Sequence, residues 1–499
     1  MPNLLDLANE TLLSIIDYVS GHTAEELSST CRLLNNLTRD KMRIHKQKKQ
    51  TLSTVTFESI HEFELHDPRM LRYLRQIFDD EEYALYPRKL VLGTEGSTFM
   101  PWGESDDDDE DGDIDGSFED RMKAAILQRY QQIFLKASPA AGARDWQSLM
   151  GGYDNLRTFV FLIYLLPDLE ILTIDPFFFG NPQEEGRFMN RFEWISKSLR
   201  QERMPALSKL REIRFSGFCE EGGIWKCTAL SVFLSNRLKL PSLRKLIFKS
   251  VYSENLVMPS KQCAANISTI GFFQSSIAGH KMRMILSSAA GLRGFTYSFK
   301  IAHYPHEWTE CLWEPRLTVE ALHEFSRATL EYLNLTACID WERDEPQLNF
   351  NTHEPCIGSL RSFICLRSVR LQMSTLYKEV EDAPFKHNEH SHVITGRNRI
   401  PVSDIFLQGS DWLVEPQRLV DIMPASLERL ELVGGVDIED GRYMLSGLSE
   451  LKEERVPKLR TIIFKDNDEF DNEMIEDCEK AGIALSCWGP DGYRGCDGY

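Results

Sequence analysis

Apolar residues recur at a fixed spacing along the chain from about residue 166 onward. The unit is an apolar residue, two other residues, an apolar residue, one other residue and a final apolar residue. Its second half alternates as a half-buried strand does, with one face buried and the other polar. The best-matching copies each begin with a proline and span 167–174, 241–248 and 457–464. Looser copies are centred on Ile213, Leu333, Val369 and Leu430, and weaker ones on Ile270, Phe295 and Ile405.

The segments between these strands have helical spacing. Successive units start 24 to 41 residues apart, which leaves room for a helix in each. One such helix is predicted around residues 282–289. Its apolar residues have the i, i+3, i+4 and i+7 spacing of one helix face and are Met282, Ile285, Leu286 and Ala289. Stacked strand–helix units bury their apolar faces against each other and form a parallel sheet. We therefore predict an α/β fold over 166–488, an irregular leucine-rich-repeat solenoid with parallel strands on its concave side and helices on its convex side. A doubly wound α/β sheet is the structural alternative.

The final unit predicts how the repeat array ends. After the strand at 459–464, a helix carries Met474 and Cys478, and a second strand covers 483–488. These elements would cap the array. The glycine-rich residues 489–499 are predicted to form a flexible tail.

Residues 46–165 are predicted to link the N-terminus to the array and to form its first part. Helical patterns at 67–82 and 119–137 flank an acidic insert at 93–118. Within 104–120 there are eleven acids and no base. Like charges at this density repel one another and bury nothing, so the insert is predicted to be a disordered loop. A calcium site is disfavoured, because no D-x-D-x-D-G frame with a glutamate at the twelfth position emerges.

The first 45 residues predict three short helices. An apolar stripe on the first helix consists of Leu12, Ile15, Ile16 and Val19. Gly21 is expected to end that helix, and Thr23 with Glu26 has capping-box spacing for the second. Leu34 and Leu37 continue the apolar spacing on the third. A folded unit of about 45 residues is only marginally stable by itself, so the sequence implies that it binds a partner.

Composition limits the classes of function. The net charge is −19, but it is only −8 when residues 104–120 are set aside, which argues against nucleic-acid binding. The longest apolar run, 159–166, is too short to span a membrane, and no secretory signal is apparent. Eleven cysteines without a C-x-x-C pair argue against a disulfide framework. We expect an intracellular protein, cytoplasmic or nuclear, with reduced thiols.

Motifs that carry catalysis do not occur in the sequence. There is no G-x-S-x-G elbow, P-loop or G-x-G-x-x-G fingerprint, so we predict no enzyme activity and no cofactor. Three histidines lie close together in a polar stretch: His387, His390 and His392. No helix orients them, so this stretch is predicted to be a solvated loop and not a metal site. Cys219, Cys227 and Cys356 have no neighbouring group that would activate a thiolate.

The N-terminal pattern resembles a known module. The residues that carry the resemblance are Leu7, Glu10, Leu12 and Leu13, followed by Leu27, Thr30, Cys31, Arg32 and Leu34. This arrangement resembles the F-box, whose pattern opens with Leu-Pro-x-Glu and closes with a Cys-Arg pair. Ala8 stands where the family has its proline, which predicts weaker docking than usual. Together with the repeats, nearly the whole chain resembles the F-box/leucine-rich-repeat proteins of filamentous fungi.

The resemblance implies a non-catalytic substrate-recognition subunit of an SCF-type ubiquitin ligase. The F-box at 1–45 would dock on a Skp-type adaptor, and through it on a cullin, while the repeats bind a protein target. Carried over by position, the docking face and the small core beneath it are formed by Leu7, Leu12, Ile15, Ile16, Val19, Leu27, Cys31 and Leu34. The sequence does not divide these eight residues between the two roles. In the alternative interpretation, all eight are the core of a helical cap.

The positions between the repeated apolar residues would face the concave surface and bind the target. These candidate positions are Thr173, Asp175, Arg214, Ser216, Lys249, Asn334, Thr336, Arg370, Gln372, Gln408, Glu431 and Lys465. Their chemistry is mixed, so no class of target is named. The alternative function is an adaptor-independent leucine-rich-repeat scaffold whose N-terminal helices cap the solenoid. A hydrolase built on an α/β sheet is a third alternative, but no catalytic motif in the sequence supports it.

Overall fold

The structure is a computed structural model. It describes residues 7–57, 68–93, 162–163, 165–175, 207–216, 229–234, 240–253, 266–300, 313–338, 356–379, 392–395, 398–401, 414–434, 438–465 and 472–488, with Gln128, Met189, Leu256 and Val436. Several predictions fall outside these residues. They are the acidic insert after Gly93, the helix at 119–137 other than Gln128, the strand around Ile405, and the tail at 489–499.

The chain divides into two compact units. Unit one consists of residues 1–213 and 239–242, and unit two of residues 214–238 and 243–499. The elements of unit one are helices α1 (Asn9–Tyr18), α2 (Gly21–Thr30), α3 (Arg32–Leu37), α4 (Arg39–Leu52) and α5 (Pro68–Asp79), the 3₁₀ helix Glu81–Leu85, and strands β1 (Thr54–Phe57), β2 (Lys89–Leu92) and β3 (Ile171–Ile174). Strand β4 (Glu212–Ser216) contains the division point.

Unit two alternates strands with helices. Its first half comprises α6 (Ala229–Leu234), β5 (Lys245–Lys249), β6 (Thr269–Ser275), α7 (Gly279–Ser288), β7 (Gly294–Lys300), α8 (Pro315–Ser326), β8 (Tyr332–Cys338), β9 (Ser368–Gln372), the 3₁₀ helix Met373–Leu376 and β10 (Tyr377–Glu379). Its second half comprises β11 (His392–Thr395), β12 (Asn398–Pro401), β13 (Val414–Pro416), α9 (Leu419–Ile422), β14 (Arg429–Val433), α10 (Ile438–Leu445), α11 (Leu448–Arg455), β15 (Thr461–Lys465), α12 (Asn472–Lys480) and β16 (Ala484–Trp488).

The predicted parallel sheet is confirmed. Twelve strands follow one another in chain order, β1 to β9 and then β14 to β16, in a mixed α/β architecture. The doubly wound alternative is wrong, because such a sheet reverses its strand order at a switch point and this sheet does not. Strands β10 and β13 form a separate antiparallel pair, and β11 pairs with β12 in the same way.

Most repeats begin with the same backbone contact. The carbonyl of the residue before one strand accepts hydrogen bonds from two successive amides at the start of the next strand, whereas the Glu428 and Arg460 carbonyls each accept from one. Arg293 accepts from Glu331 at 2.7 Å and Tyr332 at 3.0 Å, and Glu331 accepts from Arg367 at 2.9 Å and Ser368 at 3.1 Å. These shared carbonyls set the register from which the parallel ladder continues.

Alternate positions on one face of the sheet form the core of unit two. On β7, Phe295, Tyr297 and Phe299 are at most 1% exposed. The segments entering the helices pack on this face: the Tyr297 hydroxyl accepts from the Ile277 amide at 2.9 Å just before α7, and the Trp313 ring before α8 lies 5.3 Å from that of Tyr297. The helices therefore cover the apolar face, as the predicted strand–helix unit requires.

The N-terminal helices differ from their predicted ends. The cap of α2 is Ser20, whose hydroxyl accepts the Thr23 amide at 3.0 Å, so the predicted capping box of Thr23 and Glu26 is wrong. Gly21 begins α2 and does not end α1. A serine one position before the helix competes better for the free amides of its first turn. Four helices are present instead of three, and α4 continues past residue 45 to Leu52.

Of the other local predictions, some are confirmed and some are wrong. The helix predicted at 67–82 is shorter, since α5 ends at Asp79 and a 3₁₀ turn follows it. His392, assigned to a loop, lies in β11 opposite Pro401, while His387 and His390 are outside the described residues. The terminal strand–helix–strand unit is confirmed as β15, α12 and β16. No helix within the described ranges combines the length and the apolar character needed to cross a bilayer.

A cavity in the apolar face should destabilise unit two. Leu335 on β8 is 0% exposed, so Leu335→Ala is expected to lower the free energy of unfolding by about 2–5 kcal/mol, measured by urea denaturation. Ile364→Ala is the matched control, because Ile364 is 67% exposed and its truncation should cost less than about 0.5 kcal/mol. Equal effects of the two substitutions would contradict the assignment of the core.

Candidate functional site

The face of the sheet opposite the core is mixed in unit two, where polar side chains alternate with apolar ones such as Ile247, Phe273 and Ile463. We call the outward positions of β5–β9 and β14–β16 the polar face. On neighbouring strands Asn334 lies beside Arg370, and Arg370 lies beside Glu431, so the three form one row. Lys465 on β15 is in register with Val433, two positions along β14 from Glu431. Pairing therefore brings together four of the predicted target-binding residues.

Glu431 is the centre of a charged cluster made of Arg370, Arg429, Glu431 and Lys465. Its Oε2 lies 3.1 Å from Lys465 Nζ and 4.0 Å from Arg370 Nε. Its Oε1 accepts from Arg429 Nε at 2.9 Å and from Arg429 Nη2 at 2.5 Å. One carboxylate thus faces three cations, and the cluster keeps a net positive charge.

Burial and neighbouring charge shift the pKa of Glu431 in opposite directions. Its side chain is 14% exposed, and burial alone would raise the pKa of this carboxyl. Hydrogen bonds and charge from Lys465 and Arg429 outweigh the burial and hold the pKa of Glu431 below its usual value. Glu431 is therefore ionised at neutral pH and orders the cations around it.

Cations dominate the polar face as a whole. Within the described strands β5–β9 and β14–β16, the outward cations are Lys245, Lys249, Lys300, Arg370, Arg429 and Lys465, and the one outward acid is Glu431. Sequence reasoning missed Lys245, Lys300 and Arg429. Lys245 and Arg429 lie an even number of residues from the predicted outward positions Lys249 and Glu431. Lys300 lies an odd number of residues from the core residue Tyr297, so strand alternation assigns all three to the polar face. The face is basic although the whole chain is acidic.

Asn334 adds a hydrogen-bonding group beside the charged cluster. Its side chain is 6% exposed, and among the described residues its Oδ1 has no hydrogen-bond donor. A buried carbonyl oxygen without a donor is costly, and a bound partner can supply one. The polar face therefore offers an acceptor next to its cations.

The remaining predicted positions are scattered. Thr173 and Asp175 lie in unit one, where they are 7% and 9% exposed. Asp175 is enclosed because it packs on Gly93, whose φ of 104° and lack of a side chain allow the close approach. The other predicted positions are distributed as follows: Arg214 and Ser216 on β4, Lys249 on β5, Thr336 on β8, Gln372 on β9, and Gln408 outside the described residues.

The structure separates the eight predicted adaptor-docking residues by burial. Leu12, Ile16 and Leu34 are at most 4% exposed and form the core of the N-terminal helices. The half-buried members are Ile15, Val19, Leu27 and Cys31. Leu7 is 38% exposed. Only the half-buried residues and Leu7 can contact a partner without unfolding of the helices.

Further apolar side chains on these helices face solvent. Leu13 on α1 is 43% exposed, Tyr18 at its end is 92% exposed, and Leu33 on the adjacent α3 is 38% exposed. Ile44 on α4 is 53% exposed. Leu13 belongs to the F-box-like pattern, but none of the four was named as a docking residue, because a stripe that defines the core says nothing about apolar residues on the other side of the helix. Together they form exposed apolar surface on the N-terminal helices.

The thiols do not form a catalytic arrangement within the described residues. Cys356 Sγ accepts from Gln417 Nε2 at 2.6 Å and from the Gly358 amide at 3.3 Å. Burial raises the pKa of Cys478 to about 11. Cys219 and Cys227 lie outside the described residues. The hydrogen-bonded Cys356 and the buried Cys478 are therefore not favoured as nucleophiles.

No family model and no curated protein matches the sequence.

The charged cluster predicts a pH-dependent contribution to stability. A depressed glutamate pKa stabilises the fold above the unfolded value of about 4.3, and this stabilisation is lost as pH falls through the lower folded pKa. Glu431→Gln should therefore cost roughly 1–3 kcal/mol at neutral pH, and the difference from wild type should shrink below about pH 4. Urea titrations at a series of pH values measure it.

Glu450→Gln is the control for this titration, because Glu450 is exposed on α11 and makes no ion pair in the described structure. A difference between wild type and Glu431→Gln that stays constant from neutral to acid pH would show that Glu431 does not act through its charge.

Proposed function

We propose that this protein is a non-catalytic substrate receptor of an SCF-type ubiquitin ligase. In this proposal the N-terminal helices dock on a Skp-type adaptor, and through it on a cullin, in the cytoplasm or nucleus. The polar face binds a protein target. The observation that carries the binding role is a parallel sheet with an apolar core face and an opposite face on which three cations, Arg370, Arg429 and Lys465, surround Glu431.

Such a receptor requires no catalytic group. It raises the local concentration of the target near the ubiquitin-charged enzyme, and linking two binding sites in one chain achieves this without new chemistry. The irregular repeat array belongs, in this proposal, to the leucine-rich-repeat class.

The charge of the polar face favours an acidic target segment. Complementary charge speeds association and disfavours partners of the wrong sign. Glu431 preorganises Arg370 and Lys465, which are 11% and 18% exposed, so a carboxylate or phosphate of the target meets cations that are already fixed. Asn334 Oδ1 would accept a hydrogen bond from the target backbone.

The adaptor-docking role depends on the resemblance to the F-box and on exposed apolar side chains. Leu7 belongs to both groups, and Leu13 and Leu33 lie on two helices that pack together. Leu12 and Ile16 are core residues, so substituting them would test folding and not docking.

The first test is co-expression with a Skp-type adaptor. Leu13→Asp combined with Leu33→Asp is expected to abolish co-purification, because it places two charges in the apolar contact while leaving the buried core intact. Ile438→Asp combined with Tyr443→Asp on α10, 49% and 47% exposed, is the matched control and should bind as wild type does. Absence of a complex with wild type, or a complex that tolerates the α1–α3 change, would overturn the proposal.

The second test addresses the target. A fluorescent polyglutamate peptide should bind the full chain with an affinity that falls as salt rises. Lys249→Glu combined with Lys300→Glu should weaken it roughly tenfold, measured by fluorescence anisotropy. Lys458→Glu combined with Lys480→Glu changes the net charge equally at exposed positions off the polar face and should leave the affinity nearly unchanged. Equal weakening by both pairs would indicate nonspecific attraction.

A second function, the adaptor-independent scaffold, is favoured by one observation. The N-terminal helices bond directly to the rest of unit one: the Gly21 amide donates to Glu82 Oε1 at 2.8 Å, and the Ser53 carbonyl at the end of α4 accepts from Arg88 and Lys89. Helices so attached can serve as a cap. Peptide binding without any adaptor complex in the two tests above would select this function.

A further inference from the structure

Two histidines and a glutamate converge between α2 and α4 in unit one. His22 and Glu25 lie three residues apart on α2, one helical turn, and His45 comes from α4. His45 Nε2 is 3.2 Å from Glu25 Oε2, and the rings of the two histidines are 4.8 Å apart. One nitrogen from each histidine and one carboxylate oxygen all lie within 4.8 Å of one another. The proposed adaptor and target contacts do not use this cluster.

The hydrogen bonds around His45 fix its tautomer. Glu82 accepts the Gly21 amide at 2.8 Å through Oε1 and the Tyr86 hydroxyl at 3.3 Å through Oε2. Because Tyr86 donates its one proton to Glu82, its oxygen must accept from His45 Nδ1, 3.0 Å away. In neutral His45 the lone pair is therefore on Nε2, which faces the Glu25 carboxylate. A proton or a metal ion between these two atoms, which are 3.2 Å apart, would satisfy both.

His22 offers a second lone pair at the same place. Its Nε2 is buried and has no hydrogen-bond partner within the described residues. A neutral imidazole with a buried nitrogen and no partner is the form in which histidine binds metals.

We propose that His22, Glu25 and His45 form a binding site for a divalent transition-metal ion of the zinc class. Two imidazole nitrogens and one carboxylate oxygen are a ligand set that Zn²⁺ accepts, with a fourth position left for water or a partner group. Tyr86 and Glu82 orient His45 in the way that outer hydrogen bonds hold a metal-binding histidine. The soft nitrogen ligands disfavour Mg²⁺ and Ca²⁺.

Lys49 competes for the same carboxylate. Its Nζ lies 3.2 Å from Glu25 Oε2 and 3.4 Å from Oε1, and it holds the pKa of Glu25 below its usual value. The metal takes Oε2, and Lys49 keeps Oε1. Binding therefore displaces one hydrogen bond of Lys49, and removing this lysine should strengthen the site.

Gly21 is required by the same geometry. A Cβ at this position would collide with His45 Nδ1 and lie 3.0 Å from the Tyr86 hydroxyl oxygen. Only glycine lets α2 begin close enough to α4 for the three ligands to meet. Because an ion held by both helices binds the folded state alone, it stabilises unit one.

The test uses the full chain after treatment with a chelator. Zn²⁺ is expected to bind with one equivalent per chain in competition with a chromophoric chelator and to raise the melting temperature. Co²⁺ should give the visible absorption of a nitrogen- and oxygen-coordinated ion, and Mg²⁺ should do neither. Tyr86→Phe removes the group that orients His45 and should weaken Zn²⁺ binding by about 10- to 100-fold.

The ligand variants are His22→Gln and Glu25→Gln, since His45 is 2% exposed and its removal would disturb the core. Each should weaken Zn²⁺ binding at least as much as Tyr86→Phe, while Lys49→Met should tighten it. His280→Gln on α7 is the matched control, because His280 is exposed and outside the cluster. No saturable Zn²⁺ binding, or unchanged affinity in His22→Gln, overturns the proposal. Adaptor and peptide binding are read separately, so either proposal can fail alone.

Discussion

The structure depends on in-register parallel pairing between strands that follow one another in the chain. Side chains of a strand alternate between its two faces, so a slip of one residue would exchange the faces. In unit two the pairing aligns Leu333, Val369 and Leu430 on the apolar face, and it aligns Asn334, Arg370 and Glu431 one position later on the polar face. The same register therefore builds the core and the candidate binding surface, and neither can change without the other.

The register is protected at the start of each strand by charge as well as by the shared carbonyl. The residue just before the strand alternates in sign across unit two, with Arg293, Glu331, Arg367, Glu428 and Arg460 in succession. Arg293 and Glu331 lie 3.7 Å apart, and in unit one Arg211 and Glu170 are 2.7 Å apart. Exposed pairs of this kind contribute little each. Between β9 and β14 a shift of one residue would place Arg429 opposite Arg367, so charge disfavours the wrong register there.

The parts of the fold that depend on local spacing could be predicted from the sequence. The strands at 171–174, 245–249 and 461–465 coincide with the three best repeat copies to within one residue. The charged cluster could not be predicted as a cluster, because spacers of 24 to 41 residues do not reveal which residue pairs with which. The convergence of His22 and Glu25 with His45 was missed for the same reason. The cap of α2 was mispredicted because Ser20 and Thr23 both satisfy helix-start chemistry, and only geometry chooses between them.

The N-terminal helices are attached to unit one more firmly than a separable module would be. Tyr86 and Glu82, which follow α5, bond to His45 on α4 and to Gly21 at the start of α2. Lys48 on α4 reaches Asp80 at 3.3 Å, and α4 leads into β1 after one residue. Each contact is modest, but together they fix α2 and α4 against the segment that leads into β2. If a partner docks on these helices as we propose, α2 and α4 lose little conformational entropy on binding, because they are already fixed. The cap interpretation and the docking proposal are physically compatible, because Leu12 and Ile16 are buried in the core of the helices while Leu13 and Leu33 stay exposed.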